Sequence, residues 1–350
     1  MLEKKVWTPR KLDQVPKNRR ILGSKWVFKL KEGRLHRARL VAQGFNQIPG
    51  VDFTDSYAPV VQDMTLRMLL TLMIIKDMKA EVIDVETAFL YGDLEEEIYM
   101  KVPDGLKQFY SPDVCLELGK SIYGCIQAAR QWWKRFIAEL KRLGFVQSLA
   151  DPCLLIFHDE RGVVYFVIYV DDCIIFSSTE SLMKQFKRDV AKVFNIKELG
   201  ELRKYLGCFF DRHENKIKIV QPELITSFTE SFKIPTGPRG TPAVAGQVLL
   251  RGHDPADNVN DEQQKTFRSG IGKLLHLTAK SRPEIANSVR EISKFMDGAT
   301  PAHINAMYRI MRYVIATPQR GLEIAPDLSI KGYEITEKLD TDYAKDPTTC

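Results

Sequence analysis

The 350-residue sequence predicts an α+β fold with more than one lobe. Its length exceeds that of one ordinary domain, so two or three lobes around separate small cores are expected. Extended runs separated by amphipathic helical stretches fill the first 221 residues, whereas helical patterns predominate after residue 222. These three observations favour a mixed architecture with a mainly helical C-terminal part.

The N-terminal region is strongly basic. Residues 1–40 contain 13 Lys or Arg side chains and three acidic ones. This concentration is typical of a segment that binds a polyanion, although a solvated basic arm would have the same composition. We expect residues 1–24 to be irregular. Beyond them, Lys25–Leu30 and Arg37–Ala42 flank a turn near Gly33 and predict a hairpin with one basic face.

The remaining elements follow from hydrophobic periodicity and from turn residues. Leu66, Leu69, Leu70 and Met73, for example, recur at helical spacing. The predicted helices cover residues 64–79, 126–144, 180–194, 263–279, 283–296 and 301–316. The predicted strands cover residues 81–85, 163–176 with a turn at Asp171–Asp172, 206–210 and 216–220.

Composition argues against several classes of protein. The net charge is only +6, and no apolar stretch reaches the roughly 18 residues of a membrane span, so no membrane partner is expected. The N-terminus lacks an apolar signal region, which argues against secretion. None of the six cysteines lies in a C-x-x-C pair, so neither a zinc ribbon nor a redox motif is visible. We expect buried thiols in a reducing compartment.

Two adjacent carboxylates, Asp171 and Asp172, interrupt the apolar run from Val163 to Phe176. Anions beside a buried sheet are unfavourable unless a cation compensates them. Mg²⁺ is suited to this task because it prefers carboxylate, phosphate and water oxygens. The alternative is a polar hairpin turn without further function, and the pair alone does not decide between the two.

Asp84, at the end of the strand Val82–Asp84, is a candidate third carboxylate. Strands from distant parts of the chain can become neighbours in one sheet, which would bring Asp84 beside Asp171 and Asp172. Three such carboxylates could hold two metal ions about 4 Å apart for in-line phosphoryl transfer. A strand-end carboxylate in a salt bridge is the alternative interpretation.

The motifs of the chain, from Ile21 to its C-terminus, resemble the reverse transcriptase of copia-type LTR retrotransposons. The resemblance rests on many short segments in family order. An unrelated metal-dependent phosphotransferase would not account for those in the N-terminal hairpin. The matching segments are Lys25–Lys29, Ala38–Phe45, Val51–Phe53, Tyr57–Val60, Asp84–Leu90, Glu95–Met100, Lys120–Gly124, Tyr169–Asp172, Leu199–Leu202, Leu274–Thr278 and Arg282–Ala286.

This resemblance implies an RNA-directed DNA polymerase shaped like a right hand. It implies fingers and a palm with an antiparallel sheet in residues 21–221, and thumb or connection helices in residues 222–320. Residues 1–20 would form a basic N-terminal segment. Residues 321–350 would be the start of an incomplete ribonuclease H-like domain, with Asp340 in the place of its first catalytic carboxylate. We therefore expect no ribonuclease H activity.

The resemblance also implies roles for single residues. Asp84, Asp171 and Asp172 resemble the catalytic, metal-binding aspartates of the palm. Phe89 resembles the aromatic gate that excludes a ribose 2′-hydroxyl, although a core aromatic would look the same. Lys197 lies where a lysine of this fold is proposed to protonate pyrophosphate. The implied nucleotide-binding residues are Lys25, Lys29, Arg37, Arg39, Phe89, Gly124, Gln127 and Arg130, and the implied primer grip is Leu206 and Gly207. Which of the four cations meets the triphosphate stays open.

The same resemblance implies ligands and partners. Two Mg²⁺ ions, replaceable by Mn²⁺, would serve the reaction. The expected partners are an RNA or DNA template with its primer, deoxynucleoside triphosphates, and other parts of the retrotransposon polyprotein. Recognition of the template through phosphates and duplex shape is expected. The expected location is a cytoplasmic virus-like particle, with nuclear entry as a further expectation.

One segment departs from the family pattern. Within Ser121–Arg130, Ile126 stands where the family usually has lysine, and Ala129 stands where it has proline. Loss of that cation and of that turn would weaken nucleotide binding. The alternative function is therefore a catalytically inactive relic that retains a nucleic-acid-binding fold.

Overall fold

A computed structural model describes residues 4–30, 36–235, 237, 240–252, 254–330 and 332. Strands and helices alternate up to Val220, and the chain is then mainly helical, as the sequence predicts. The strands are β1 (Trp7–Lys11), β2 (Ile21–Leu22), β3 (Ser24–Leu30), β4 (His36–Ala42), β5 (Lys79–Val85), β6 (Asp93–Lys101), β7 (Val114–Lys120), β8 (Val146–Gln147), β9 (Leu154–Asp159), β10 (Gly162–Tyr169), β11 (Asp172–Ser177), β12 (Ile196–Glu201), β13 (Lys204–Tyr205), β14 (Cys208–His213), β15 (Lys216–Val220) and β16 (Leu322–Ile324). The α-helices are α1 (Asp63–Ile75), α2 (Ala128–Arg142), α3 (Glu180–Ala191), α4 (Pro222–Ser231), α5 (Asp261–Lys280), α6 (Ala286–Ser293) and α7 (Pro301–Ala316).

The strands form three larger sheets and one hairpin. The central sheet has the order β12–β5–β11–β10–β9–β8, and all its neighbouring strands are antiparallel. An N-terminal sheet has the order β1–β7–β6–β2, and a third sheet has the order β13–β14–β15–β16. The pair β3–β4 is the predicted basic hairpin. The central sheet is the element that positions the candidate site.

Three separate clusters of buried apolar side chains confirm the expectation of several small cores. The largest lies between the central sheet and helices α1, α2 and α3, and includes the fully buried Trp132 and Phe166. A second holds α4, α5, α6 and α7 together around Phe267. The third lies under the N-terminal sheet and includes Val6 and Met100.

Capping groups fix where several helices begin. The Thr179 hydroxyl accepts a hydrogen bond from the Leu182 N–H at the start of α3. Asn260 and Gln263 form a reciprocal capping box at the start of α5. Pro301 follows the cap of α7, where a missing N–H removes no helical hydrogen bond. The predicted bounds of α7, 301–316, are therefore confirmed.

The expectation that residues 1–24 are irregular is wrong for two segments. Strand β1 pairs antiparallel with β7, and β2 pairs in parallel with β6. Only one β1 side chain, Trp7, is buried, and the other four are exposed. An edge strand of this kind is held mainly by backbone hydrogen bonds, so a basic, polar composition conceals it.

The domain boundary predicted after residue 320 stays a prediction. Strand β16 pairs antiparallel with β15, so the chain leaves the third sheet at β15, forms the helical bundle and returns to the same sheet. Residues 322–324 thus form an edge strand of the third sheet. Asp340 lies outside the described residues. No helix among the described residues is long and apolar enough to cross a membrane.

Candidate active site

Asp84 and Asp172 face each other across two neighbouring strands of the central sheet. In the β5–β11 register, Asp172 is the direct partner of Asp84. Directly opposed residues of an antiparallel pair have Cβ atoms about 5 Å apart and share one face of the sheet. The predicted proximity of these two carboxylates is confirmed. On the other side of Asp84, the direct partner on β12 is Lys197.

Asp171 lies in the hairpin turn beside this pair. The predicted Asp171–Asp172 turn is wrong by one residue: Tyr169 pairs with Asp172, so Val170 and Asp171 form a two-residue turn. Such turns need a positive φ at their first position, and Val170 has a φ of +56°. The hairpin thus keeps one carboxylate on the strand and places the other at the tip. The Val85 N–H donates to the Asp171 carbonyl at 3.0 Å, which ties the turn to the end of β5.

The electrostatics of this group are unfavourable without a cation. Partial burial raises the pKa of Asp172 to about 6, and repulsion from Asp171 and Asp84 acts in the same direction. The thiol of Cys173 is fully buried next to them, and its pKa lies well above the usual value for the same causes. Burial and the neighbouring carboxylates both disfavour the ionised form of Asp172, and a bound cation would favour it.

The donor set suits a hard divalent cation, since it consists of carboxylate oxygens whose repulsion such an ion would remove. The three carboxylates are not all close enough to one another to hold a metal ion as they stand. Within the part of the chain that the structure describes, no three His, Cys, Asp or Glu side chains converge closely enough to hold a metal ion as they stand. Asp84 and Asp172 are direct partners in the β5–β11 register, and Asp171 precedes Asp172 in the hairpin turn.

Phe89 follows Asp84 after a tight bend. Thr87 has a left-handed backbone with a φ of +56°, and the chain then forms a single 3-10 turn, Ala88–Tyr91. The Phe89 ring meets the Tyr123 ring edge to face, with 5.0 Å between centroids. The Arg39 guanidinium lies over the same Tyr123 ring at 5.0 Å. Two successive ring contacts therefore link Arg39 of the basic hairpin to Phe89.

The basic face of the hairpin is confirmed by the β3–β4 register. Lys29 is the direct partner of Arg37, and Val27 is the direct partner of Arg39. Because residues two apart share a face, Lys25, Lys29, Arg37 and Arg39 all lie on one side of the hairpin. The two lysines are exposed, whereas the two arginines are half-buried. The Arg39 Nε is buried and has no hydrogen-bond partner among the described residues.

Gly124 lies where two backbones come into contact. It has a φ of +91°, and a Cβ built on it would lie 2.1 Å from the Ala42 carbonyl oxygen. The Ala42 N–H donates to the Tyr123 carbonyl at 2.8 Å, which joins the end of β4 to this segment. Only glycine fits both the conformation and the space, so Gly124 fixes the base of the hairpin against the chain before α2.

Gln127 and Arg130 are both engaged within the protein. Gln127 is fully buried, and its amide bonds to the Gln47 side chain and the Asp52 carbonyl, each at 3.0 Å. In this structure it supports the loop and offers no exposed group to a ligand. Arg130 donates to the Tyr57 carbonyl at 2.9 Å and pairs with Asp55 at 2.8 Å. A role of either residue in nucleotide binding stays a prediction.

Leu206 and Gly207 form the tight turn between β13 and β14. Both have positive φ, +50° and +74°, as a two-residue hairpin turn of the mirror-image type requires. The turn borders a cleft of about 590 Å³ that also reaches Asp172. The Tyr205 hydroxyl donates to the Asp172 carbonyl at 3.4 Å. The predicted primer-grip turn therefore lies next to the carboxylates, although its function remains a prediction.

The two departures from the family pattern have different structural effects. Ile126 is 36% exposed, so an apolar side chain faces solvent where the family has a cation. Ala129 is the second residue of α2, which begins at Ala128 without a proline. The loss of proline has therefore not abolished the turn, and the loss of the cation is the greater change.

Sequence reasoning missed two aromatic residues near the site. Tyr123 contacts both Arg39 and Phe89, and Trp132 donates its indole N–H to the Val170 carbonyl at 2.7 Å. Both residues read as ordinary apolar positions in the sequence. No local signal shows that Trp132 of α2 reaches the turn at Val170.

Comparison with known proteins agrees with this geometry. A family model described as "Reverse transcriptase (RNA-dependent DNA polymerase)" matches residues 4–244. The chain is 33% identical over 348 residues to the retrovirus-related Pol polyprotein from transposon TNT 1-94 of Nicotiana tabacum, covering 96% of this chain and 26% of that protein. It is 30% identical over 338 residues to the corresponding polyprotein from transposon RE1 of Arabidopsis thaliana, covering 95% and 22%. The putative transposon Ty5-1 protein of Saccharomyces cerevisiae is 27% identical over 236 residues, covering 67% and 75%.

The chain therefore belongs to the reverse transcriptase family, and its plant relatives are Pol polyproteins of copia-type transposons. The predicted resemblance is confirmed, but its predicted start at Ile21 is too late because the family match begins at residue 4. The chain spans about a quarter of the length of the plant polyproteins.

Proposed function

We propose that the chain is the RNA-directed DNA polymerase part of a retrotransposon polyprotein. The observation that carries this proposal is the pairing of Asp84 with Asp172, with Asp171 at the adjoining turn. The family supports a polymerase-type enzyme, and this arrangement supports retention of its reaction centre. In the proposed right hand, the central sheet is the palm, the β3–β4 hairpin belongs to the fingers, and the helices α4–α7 form the thumb.

The proposed reaction extends a primer by one nucleotide. The primer 3′-oxygen forms a bond to the α-phosphorus of a deoxynucleoside triphosphate, and the bond from that phosphorus to pyrophosphate breaks. Asp84, Asp171 and Asp172 would hold two Mg²⁺ ions, or Mn²⁺, which when bound neutralise the attacking and leaving oxygens. The remaining work of the protein is to position the reactants and to compensate charge.

The neighbouring residues support this use of the site. The cations of the β3–β4 hairpin share the face expected to meet a triphosphate, and Arg39 reaches the Tyr123 ring that touches Phe89. Phe89, five residues after Asp84, is the proposed group that excludes a 2′-hydroxyl. The cleft between Asp172 and the Leu206–Gly207 turn is the proposed seat of the primer end. Template and primer would come from nucleic acid, and the rest of the polyprotein is a proposed partner.

Primer extension tests the proposal. The purified chain is incubated with an RNA template, a DNA primer, deoxynucleoside triphosphates and Mg²⁺, and its fold is checked by circular dichroism and a cooperative melt. We expect extension that requires the metal ion and that strongly prefers deoxynucleotides over ribonucleotides. A folded chain that binds the template and never extends the primer would exclude the proposal.

A catalytically inactive relic with a nucleic-acid-binding fold is the second candidate. The exposed Ile126 in place of a cation is the observation that favours it. The two candidates differ in their response to Ile126→Lys. If the site is intact and merely weakened, the variant increases extension. If the chain is a relic, neither the native sequence nor the variant extends a primer.

A further inference from the structure

Three consecutive carbonyls of the aspartate turn each accept a hydrogen bond from a different element. The Val170 carbonyl accepts from the Trp132 indole Nε1 of α2 at 2.7 Å. The Asp171 carbonyl accepts from the Val85 backbone N–H at the end of β5, and the Asp172 carbonyl accepts a longer bond from the Tyr205 hydroxyl. The first of these bonds is the shortest, and its donor is a buried side chain.

This turn needs to be held because its first residue is strained. Val170 is β-branched and has a φ of +56°, a region that such residues rarely adopt. Glycine is the residue that two-residue turns with this conformation usually carry. A strained residue of this kind persists only where the surrounding structure determines its conformation. If Val170 relaxed, the carboxylates that follow it would move as well.

Trp132 is a rigid donor for this purpose. Its side chain is fully buried. The ring stacks on Phe136 with 4.7 Å between centroids and meets the edge of Phe194 at 5.3 Å. These contacts leave the ring no other orientation without repacking the largest core. The indole N–H is therefore aimed at the Val170 carbonyl by packing, and its place in α2 ties the turn to the segment that contains Gly124 and Ile126.

We propose that Trp132 is a positioning residue that holds the Val170–Asp171 turn in its strained conformation and so sets the position of Asp171 and Asp172. The assignment of these carboxylates to catalysis rests on the proposed function. The proposed effect of Trp132 on the conformation of the turn does not depend on whether the carboxylates are catalytic. Trp132 touches no reacting atom, and it acts through the backbone of Val170.

Trp132→Phe removes the N–H and keeps an aromatic ring in the core. Trp133→Phe makes the same chemical change at the next position of α2 and is the matched control. In single-nucleotide incorporation we expect Trp132→Phe to lower kcat by about tenfold or more, because a small displacement of catalytic groups slows the reaction strongly. The KM for the nucleotide should change by less than about twofold. Trp133→Phe should leave both constants near their native values.

Hydrogen–deuterium exchange separates the hold on the turn from catalysis. We expect faster exchange of backbone amides in residues 165–176 in Trp132→Phe, and native exchange in Trp133→Phe. If the native chain extends no primer, the proposed function fails, whereas this exchange comparison still decides the role of Trp132. Equal exchange in the two variants would overturn the inference.

A second substitution tests the mechanism of the hold. Glycine adopts the φ of Val170 without strain, so Val170→Gly should make the turn less dependent on its donor. We expect Trp132→Phe to lower kcat less than threefold when Val170→Gly is also present. Two results would contradict this: Trp132→Phe lowers kcat as much in the Val170→Gly background as in the native chain, or it lowers kcat without faster exchange at the turn. Either result would assign Trp132 to core packing alone and overturn the proposal.

Discussion

At the scale of single residues, Asp172 is the carboxylate under the greatest electrostatic constraint. It lies opposite Asp84, next to Asp171 and beside a buried thiol. This arrangement does not stabilise the fold by itself, because burial, Asp171 and Asp84 all disfavour the ionised form of Asp172. A cluster that opposes stability is most simply explained by a function that needs it.

Asp171→Asn is expected to abolish primer extension, by at least about a thousandfold, while template binding is retained. The substitution removes one of the three proposed anionic metal ligands and changes the shape of the side chain very little. Extension assays and fluorescence anisotropy with a labelled template give the two measurements. Residual extension close to the native rate would show that the metal assignment is wrong.

The raised pKa of Asp172 predicts a dependence of stability on pH in a chelating buffer. The folded pKa is about 6 and the ordinary value is 3.8. Between these values the folded state keeps a proton that the unfolded state releases, so stability falls as pH rises from about 4 to 6. Asp172→Asn should therefore stabilise the protein at pH 8 more than at pH 4. Denaturant unfolding at both pH values tests this, and equal effects at the two values would contradict it.

At the scale of elements, both departures from the family pattern lie at or just before the N-terminus of α2. Ile126 lies just before the helix, Ala129 is its second residue, and Trp132 is its fifth. The segment from Ile126 to Trp132 therefore contains both residues that differ from the family pattern and the residue that we propose to hold the Val170–Asp171 turn.

Ile126→Lys together with Ala129→Pro is expected to increase extension. Proline is tolerated in the first helical turn, where the N–H groups have no helical partner, and it reduces the freedom of the unfolded chain. A change in stability of less than about 1 kcal/mol is expected. The restored cation should lower KM for the nucleotide. An unchanged KM in steady-state incorporation would show that position 126 does not affect nucleotide binding.

Gly124→Ala should destabilise the base of the β3–β4 hairpin. The new methyl group would meet the Ala42 carbonyl at 2.1 Å, in addition to the strain of a φ of +91°. Gly50→Ala is a matched control, because Gly50 has a φ of +78° and no atom lies within 4 Å of a built Cβ. We expect a loss of about 1 kcal/mol for the control from strain alone and a clearly larger loss for Gly124→Ala, measured by urea unfolding. Equal losses would show that contact with Ala42 is unimportant.

At the scale of the whole molecule, the helical bundle is attached to the third sheet and to helix α1. Strands β15 and β16 bracket the bundle and belong to the sheet that contains the Leu206–Gly207 turn. At α1, Lys280 at the end of α5 pairs with Asp63, and Arg67 donates to the Ala279 carbonyl. The position of the bundle is therefore linked to the proposed seat of the primer.

Lys280→Ala is expected to shorten the products made in one binding event while leaving single-nucleotide incorporation unchanged. The ion pair lies between the bundle and α1, so its loss would loosen the proposed thumb without touching the carboxylates. Lys184→Ala, which removes an ion pair with Glu180 within α3, is the control. Extension with a trap for dissociated enzyme measures the effect, and identical product lengths for the two variants would refute it.

Much of the fold was predictable because periodicity is a local property. Helices such as α1, α2 and α7 carry their apolar spacing in the sequence, and the alternation of cations in β3 and β4 predicted one basic face. The bounds were predicted correctly for α7, whereas α1 ends at Ile75, four residues before the predicted 79, and β5 begins at Lys79. Strands β1 and β2 were missed for a physical reason. Each is short, and only pairing with a distant partner makes it a strand.

For the site, the sequence by itself determined the family, the three candidate carboxylates and the chemistry that their residue types allow. Tertiary structure alone decided the rest: that Asp84 is the direct partner of Asp172, that the turn consists of Val170 and Asp171, and that Gln127 is buried. It also decided that Trp132 reaches the Val170 carbonyl. The reason is that residue type is a property of the chain, whereas strand register, burial and the aim of a side chain depend on contacts between segments far apart in sequence.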